Sequence, residues 1–123
     1  MRAVRSRDTS PERLVRSMAH KLGYRFRLCR RDLPGAPDLV FPRLRKVLFV
    51  HGCFWHYHRC AHGLVRPRTN ARYWETKRAK TAARDRSARE ALRKTGWSIL
   101  TVWECQLNNQ ANVETRLRKF LKS

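Results

Sequence analysis

The sequence predicts a single α/β domain, in which helices flank a mixed central sheet. Its 123 residues are enough for one domain with a real core. Short apolar runs of strand length are interspersed with longer amphipathic segments, in the order α-β-β-β-α-β-α. Three successive strands are followed by a helix and a fourth strand. We therefore expect the fourth strand to lie parallel to one of the first three.

The first helix is predicted from "DTSPERLVRSMAHKLG", residues 8–23. Thr9 and Glu12 fit a capping box, Pro11 falls in the first turn, and Gly23 follows the end. The apolar stripe at helical spacing consists of Leu14, Val15, Met18, Ala19 and Leu22.

The remaining elements follow from alternation, apolar runs and turn residues. The predicted strands are the alternating "YRFRLC" (24–29) and the buried runs "DLVF" (38–41), "KVLFVHG" (46–52) and "WSILTVWE" (97–104). Pro42 ends the second strand. A very basic helix is expected from about residue 70 to 95, and a closing amphipathic helix from 111 to 122.

The charge balance indicates a polyanionic partner. The chain has 29 Lys and Arg against 9 Asp and Glu, a formal net charge of +20. Nucleic acid is the first candidate partner, and residues 78–93 are expected to face phosphates or solvent. An anionic membrane is the second, but no apolar run has transmembrane length and no signal peptide is seen, so we expect a cytoplasmic protein. A nonspecific basic protein of the ribosomal type is the plain alternative.

The stretch "FVHGCFWHYHRC", residues 49–60, carries the most specific chemistry. Cys53, His58 and Cys60 form C-x4-H-x-C, and Cys105 would join them if the third and fourth strands end side by side. Four such ligands suit a closed structural zinc site. The alternative is a buried cysteine among unrelated surface histidines. Cys29 is expected to be a packed core thiol, and two further histidines to lie on the surface: His20 and His62.

A zinc site of this kind leaves His51 and His56 close by. Asp38 opens the second strand, next to the third. A carboxylate holding a hard cation beside a histidine that moves a proton is a plausible hydrolytic centre. Asp38 has an alternative reading as a turn aspartate after "PGAP".

Several stretches together resemble the very-short-patch-repair (Vsr) endonucleases. They are "MRAVRSRDTSPE", "LPGAPDLVF", "FVHGCFWHYHRC", "RYW" and "GWSILTVWEC", spread over about residues 1–105. The resemblance implies a PD-(D/E)xK, restriction-endonuclease-like single domain over residues 1–123 with a structural zinc site. It further implies a Mg2+-dependent nick 5′ to the T of a T:G mismatch in double-stranded DNA, and a nucleoid-associated protein of bacterial type. We expect a monomer, because one nick needs one active site.

The resemblance also implies roles for individual residues. The catalytic set is Asp38, His51, His56 and Glu12; Asp38 and the Val50 carbonyl would hold Mg2+, and Glu12 would reach it through water. The zinc ligands would be Cys53, His58, Cys60 and Cys105. The DNA-wedging aromatic residues would be Phe54, Trp55 and Trp74.

Two departures from the family pattern stand out. The superfamily's usual E-x-K is replaced by Phe49-Val50-His51, and relatives often have Thr where this chain has Val50. The sequence also starts directly at the "MRA" motif, without the DNA-gripping lead-in of some relatives.

We expect His56 to activate water and His51 to bind the phosphate, although the two roles could be exchanged. Trp97 and Trp103 are expected in the core. Two rival functions remain: a zinc-containing DNA-binding module without catalysis, and a nuclease with another DNA target.

Overall fold

The structure, a computed structural model, describes residues 10–28, 30–53 and 69–123. This part of the chain contains three helices and four strands in the predicted order. They are α1 (Ser10–Lys21), β1 (Arg27–Leu28), β2 (Leu39–Phe41), β3 (Lys46–His51), α2 (Ala71–Lys94), β4 (Ser98–Trp103) and α3 (Gln110–Lys122), with 3-10 turns at Pro42–Leu44 and Glu104–Asn108. None of the helices in these ranges is long and apolar enough to cross a membrane.

The four strands form one mixed sheet in the order β1-β2-β3-β4. The first three strands run antiparallel, with Leu39 opposite Leu48. β4 pairs with β3 in parallel over six residues, from Lys46 opposite Ser98 to His51 opposite Trp103. The predicted parallel return after the basic helix is therefore confirmed. As a consequence, β3 and β4 end at the same edge of the sheet.

The sheet has a hydrophobic core on each face, because successive strand residues point to opposite sides. On one face α1 and α3 pack on the sheet through Val15, Met18, Leu39, Phe41, Leu48, Val50, Val102, Val113, Leu117 and Leu121. On the other face lie Val40, Val47, Phe49, Leu92 and Trp97, beneath α2. Trp97 is thus a core residue, as predicted.

Arg45 connects the turn between β2 and β3 to the end of α2. It adopts a left-handed conformation (φ 53°), and its Nη2 donates to the Thr95 carbonyl at 2.7 Å. Its guanidinium lies 4.7 Å from the centre of the Trp97 ring, and its carbonyl accepts from the Ser98 N–H at 3.0 Å. These contacts set where β4 starts beside β3.

Lys46 is buried at the start of β3, where it holds the end of α3. Its Nζ donates to the Phe120 carbonyl at 2.5 Å and to the Ser123 carbonyl at 2.6 Å. The last carbonyls of a helix have no partner within the helix, so an ammonium group satisfies them well.

β1 is shorter than predicted: only Arg27 and Leu28 pair with β2, although residues 24–29 alternate. β2 has only three residues before Pro42 turns the chain away, so the ladder is short on both sides. Phe26 instead packs edge-on against Phe41, with ring centres 5.9 Å apart. Cys29 lies outside the described residues, so its predicted core position stays a prediction.

Candidate active site

Asp38 meets Glu12 at the point where β2 begins. The backbone N–H of Asp38 donates to the Leu48 carbonyl at 3.1 Å, which fixes the residue beside β3. Its Oδ2 accepts the Val50 N–H at 2.6 Å. Glu12, from the first turn of α1, is 5% exposed, and its carboxyl group hydrogen bonds with that of Asp38. Two carboxyl groups therefore share one largely buried location.

The surroundings make ionisation of Asp38 costly. Burial raises the pKa of Asp38 from its ordinary 3.8 to about 7, with further increases from the charge and hydrogen bond of Glu12. The Val50 N–H and the guanidinium of Arg16 act in the opposite direction. Adjacent buried carboxyl groups either share a proton or hold a cation. Their oxygen atoms are donors that suit a hard divalent ion.

His51 is buried at the end of β3 and faces an acidic residue of α2. It is 4% exposed, and its Nδ1 lies 4.0 Å from Oδ2 of Asp85. The imidazole lies 5.1 Å from the Trp103 ring and 5.4 Å from the Phe49 ring, measured between centres. A carboxylate facing one ring nitrogen orients the ring and favours a proton on that nitrogen. Trp103 is only partly buried, and it contacts this histidine instead of lying wholly in the core.

A glycine brings the loop before Asp38 close to α2. Gly35 has φ +76°, and a Cβ built on it would lie 2.8 Å from the Ala88 Cβ and 3.2 Å from the Phe49 ring. No side chain fits this gap without movement of its neighbours. The contact helps to hold the Asp38 loop and the helix that carries Asp85 in one arrangement.

Cys53 and Cys105 come together although they are far apart in the sequence. Cys53 follows β3 and is fully buried; Cys105 follows β4. The Cys105 N–H donates to the Cys53 Sγ at 3.4 Å, and no disulfide joins the two. The predicted meeting of these cysteines at the end of β3 and β4 is confirmed. The zinc ion itself stays a prediction.

Trp74 lies in the first turn of α2 and is partly buried. Its ring meets that of Tyr73 edge-on, with centres 5.2 Å apart. Tyr73 is 57% exposed, so this end of α2 presents an aromatic surface to solvent.

Most of residues 78–93 are exposed or partly buried, as expected for a basic surface. Arg78, however, is 3% exposed, which corrects the expectation for that residue. It lies seven and fourteen positions before Asp85 and Leu92, on the inner face of the helix.

Five predicted site residues fall outside the described part of the chain: Phe54, Trp55, His56, His58 and Cys60. Thr9 and His62 also fall outside it, whereas His20 is exposed as predicted. Within the described ranges, no three His, Cys, Asp or Glu side chains form a metal-binding group. What the structure brings together is one pair from each predicted ligand set: Asp38 with Glu12, and Cys53 with Cys105.

Two site residues were missed in the sequence: Asp85 and Arg16. A signal for Asp85 existed in its seven-residue spacing from Leu92, which places a carboxylate on the inner face of α2. Arg16 follows Glu12 by one helical turn, so both project from the same side of α1.

Comparison with known proteins identifies the family. The family described as DNA mismatch endonuclease Vsr matches residues 1–62. The type II nicking enzyme V.XorIIP of Xanthomonas oryzae pv. oryzae is 50% identical over 121 residues, covering 98% of this chain and 88% of that protein. The type II nicking enzyme V.NmeAIP of Neisseria meningitidis is 36% identical over 122 residues, covering 99% and 86%.

Escherichia coli Vsr, a DNA mismatch endonuclease, is 42% identical over 110 residues, covering 89% of this chain and 70% of that protein. The catalytic domain of the homing endonuclease I-Bth0305I has the same fold, with a TM-score of 0.57 at 17% identity over 92% of this chain and 94% of that one. The chain therefore belongs to the Vsr family of DNA endonucleases.

Proposed function

We propose that this protein is a Mg2+-dependent endonuclease that nicks one strand of duplex DNA 5′ to the T of a T:G mismatch. One observation carries the proposal: the Asp38–Glu12 carboxyl pair lies at the same sheet edge as the buried His51–Asp85 pair. Hydrolysis of a phosphodiester requires charge neutralisation at the phosphate and a group that moves a proton. The family membership, the nicking enzymes among the relatives and the +20 charge all agree with DNA as the substrate.

Asp38 and the Val50 carbonyl would hold the Mg2+ ion, with Glu12 acting through water. The donor set fits, because all these groups offer oxygen atoms and both carboxyl groups are already desolvated. When bound, the ion would neutralise negative charge on the scissile phosphate. The Val50 N–H would keep Asp38 in place by its 2.6 Å hydrogen bond.

The two histidines would divide the proton and charge chemistry. His56 would take the proton from the attacking water as its oxygen bonds to phosphorus, while the bond to the leaving oxygen breaks. His51, oriented by Asp85, would donate to a phosphate oxygen as charge accumulates there. The burial of His51 keeps water from competing for this contact.

The mismatch preference would come from aromatic side chains that enter the base stack. Phe54, Trp55 and Trp74 are the residues that we assign to this role. Separating stacked bases costs a few kcal/mol, and less at a mismatch than at a paired step. The difference favours cutting at a T:G pair.

A zinc ion would stabilise the loop that carries these rings. Cys53 and Cys105 offer two adjacent sulfur donors, and His58 and Cys60 would complete a tetrahedral set. We expect purified protein to hold one zinc ion per chain by elemental analysis, and Cys53→Ser to lose it. Full zinc content in the variant would contradict the ligand assignment.

A strand-cleavage assay tests the function. End-labelled duplexes with one T:G mismatch, or with T:A at the same position, are incubated with Mg2+ or without added metal. The proteins are wild type, His56→Ala and Asp38→Asn. We expect Mg2+-dependent nicking 5′ to the mismatched T by wild type only. Equal cutting of both duplexes would refute the mismatch preference, and binding without cutting under any metal would refute the enzyme.

A further inference from the structure

A groove lies at the end of the sheet remote from the candidate active site. It has a volume of about 820 Å3 and is lined by the end of α1, β1 and the turn between β2 and β3. Phe41 ends β2 there, whereas Asp38 precedes the strand at its other end. The residues of β3 that adjoin the groove are its first ones, while Val50 and His51 are its last. The groove is therefore a surface separate from the catalytic residues.

The floor of the groove is apolar and partly open. Tyr24 and Phe26 pack edge-on against Phe41, with ring centres 6.4 and 5.9 Å away. Leu44 at the rim is 39% exposed, and Leu28 on the neighbouring strand is 45% exposed. Among the described residues only three large apolar side chains are this exposed, and these are two of them. Exposed apolar side chains grouped in this way mark a contact surface.

The charged groups lining the groove are basic only. Arg25, Arg27 and Arg43 are all exposed, and His20 adds a fourth potential cation. Of the nine acidic residues in the chain, none belongs to this lining. The rim therefore attracts an anionic partner.

β1 offers backbone pairing as well. It is the outer strand of the four-stranded sheet and pairs with β2 on one side only within the described residues. Both its residues are exposed. A strand at the edge of a sheet can accept an extended peptide through main-chain hydrogen bonds.

We propose that this groove docks an extended acidic segment of a partner protein, which adds to β1 and places apolar side chains over Leu44 and Phe26. Exposed aliphatic leucines favour a peptide over nucleic acid, because bases stack on open ring faces. The rings here pack edge-on against Phe41, inside the groove floor. The proposal is independent of the cleavage chemistry.

Binding of a defined peptide tests the proposal. The probe is a fluorescent twelve-residue peptide that alternates glutamate with valine and phenylalanine. Its control has the same side chains but N-methylated alternate amides, so that its charge is unchanged while strand pairing is blocked. Anisotropy at moderate salt gives the affinity, and amide NMR shifts of the full chain give the location. We expect shifts in residues 24–28 and 41–44, and about tenfold weaker binding of the methylated peptide.

Charge-matched variants separate docking from general attraction of anions. The groove variant is Arg27→Glu with Arg43→Glu; the control is Arg84→Glu with Arg86→Glu, on the exposed side of α2. We expect about tenfold weaker peptide binding in the groove variant and little change in the control. Leu44→Asn, which leaves the charge unchanged, should also weaken binding.

Three results would overturn the proposal. They are equal losses in both arginine pairs, equal binding of the methylated peptide, or the same amide shifts with a short DNA duplex. The last result would assign the groove to nucleic acid.

Discussion

Replacement of Asp38 by asparagine should stabilise the metal-free protein while abolishing nicking. The carboxylate is held in a largely buried position beside Glu12, and burial raises its pKa to about 7. Because the folded state binds this proton more tightly than the unfolded chain, ionised Asp38 opposes folding at neutral and higher pH. Asparagine has nearly the same shape, keeps an oxygen for the Val50 N–H, and can donate to Glu12.

The magnitude follows from the shift in the pKa. From 3.8 to about 7, the full unfavourable contribution is about 4 kcal/mol, reached above pH 7. The contribution is absent below the unfolded value of 3.8 and grows as the pH rises. At pH 5.5 the unfolded carboxyl group is ionised but the folded one is still largely protonated, which leaves about 2 kcal/mol. Since a neutral acceptor weakens the Val50 hydrogen bond, we expect the variant to gain about 2 kcal/mol at pH 8.

Urea unfolding of both proteins at pH 5.5 and pH 8 measures the effect. The buffer is free of Mg2+ and contains no chelator, so that the proposed zinc ion is retained. Wild type should lose about 2 kcal/mol more than the variant between the two pH values. Added Mg2+ should stabilise wild type but not Asp38→Asn, because a ligand stabilises only the state that binds it.

Asp32→Asn is the matched control. Asp32 is exposed, and its hydrogen bond with Arg30 lowers the pKa of its carboxyl group. The group is ionised in both states above pH 5.5, so its replacement should leave the pH dependence as in wild type. If Asp38→Asn lowers the stability at pH 8, or follows the wild-type pH dependence, the account of a strained carboxyl pair is wrong.

Three further substitutions test the supporting structure. Asp85→Asn should slow single-turnover nicking by about 10- to 100-fold through loss of orientation of the buried histidine, with little change in urea midpoint; unchanged nicking would remove its role. Gly35→Ala should lower the free energy of unfolding by about 1–3 kcal/mol, more than Gly23→Ala, which shares a positive φ but has nothing within 4 Å of the added Cβ. Lys46→Met should cost about 1–3 kcal/mol through the uncapped end of α3, whereas exposed Lys119→Met should be neutral; equal effects would contradict the capping role.

The sheet and the meeting of the cysteines could be predicted because their signals are local and strong. Apolar runs defined β3 and β4, and the right-handed crossover preference made a parallel return the expected one. That pairing alone brings Cys53 and Cys105 together. The extent of β1 could not be predicted, because alternation in residues 24–29 does not reveal how short its partner strand is.

The electrostatics of the site depended on tertiary contacts that periodicity shows only in part. Glu12 lies three and seven positions before Val15 and Ala19, both fully buried, so a carboxylate on the apolar face was readable. Its partner across the core was not readable, because Asp38 comes from another element. Asp85 was obscured in the same way by the many basic residues of α2, whose apolar stripe is weak.

The parallel pairing of β3 with β4 also bears on the folding order. Partners in this ladder lie 52 positions apart, as do Cys53 and Cys105. The antiparallel hairpin of β2 and β3 closes over a few residues, whereas this ladder has to close a long loop before it gains any contacts. The hairpin can therefore form early with Asp38 beside Val50, while the sulfur pair is completed last. Hydrogen exchange should accordingly show β4 opening before β3, and each such opening would dismantle the sulfur pair while leaving the hairpin intact.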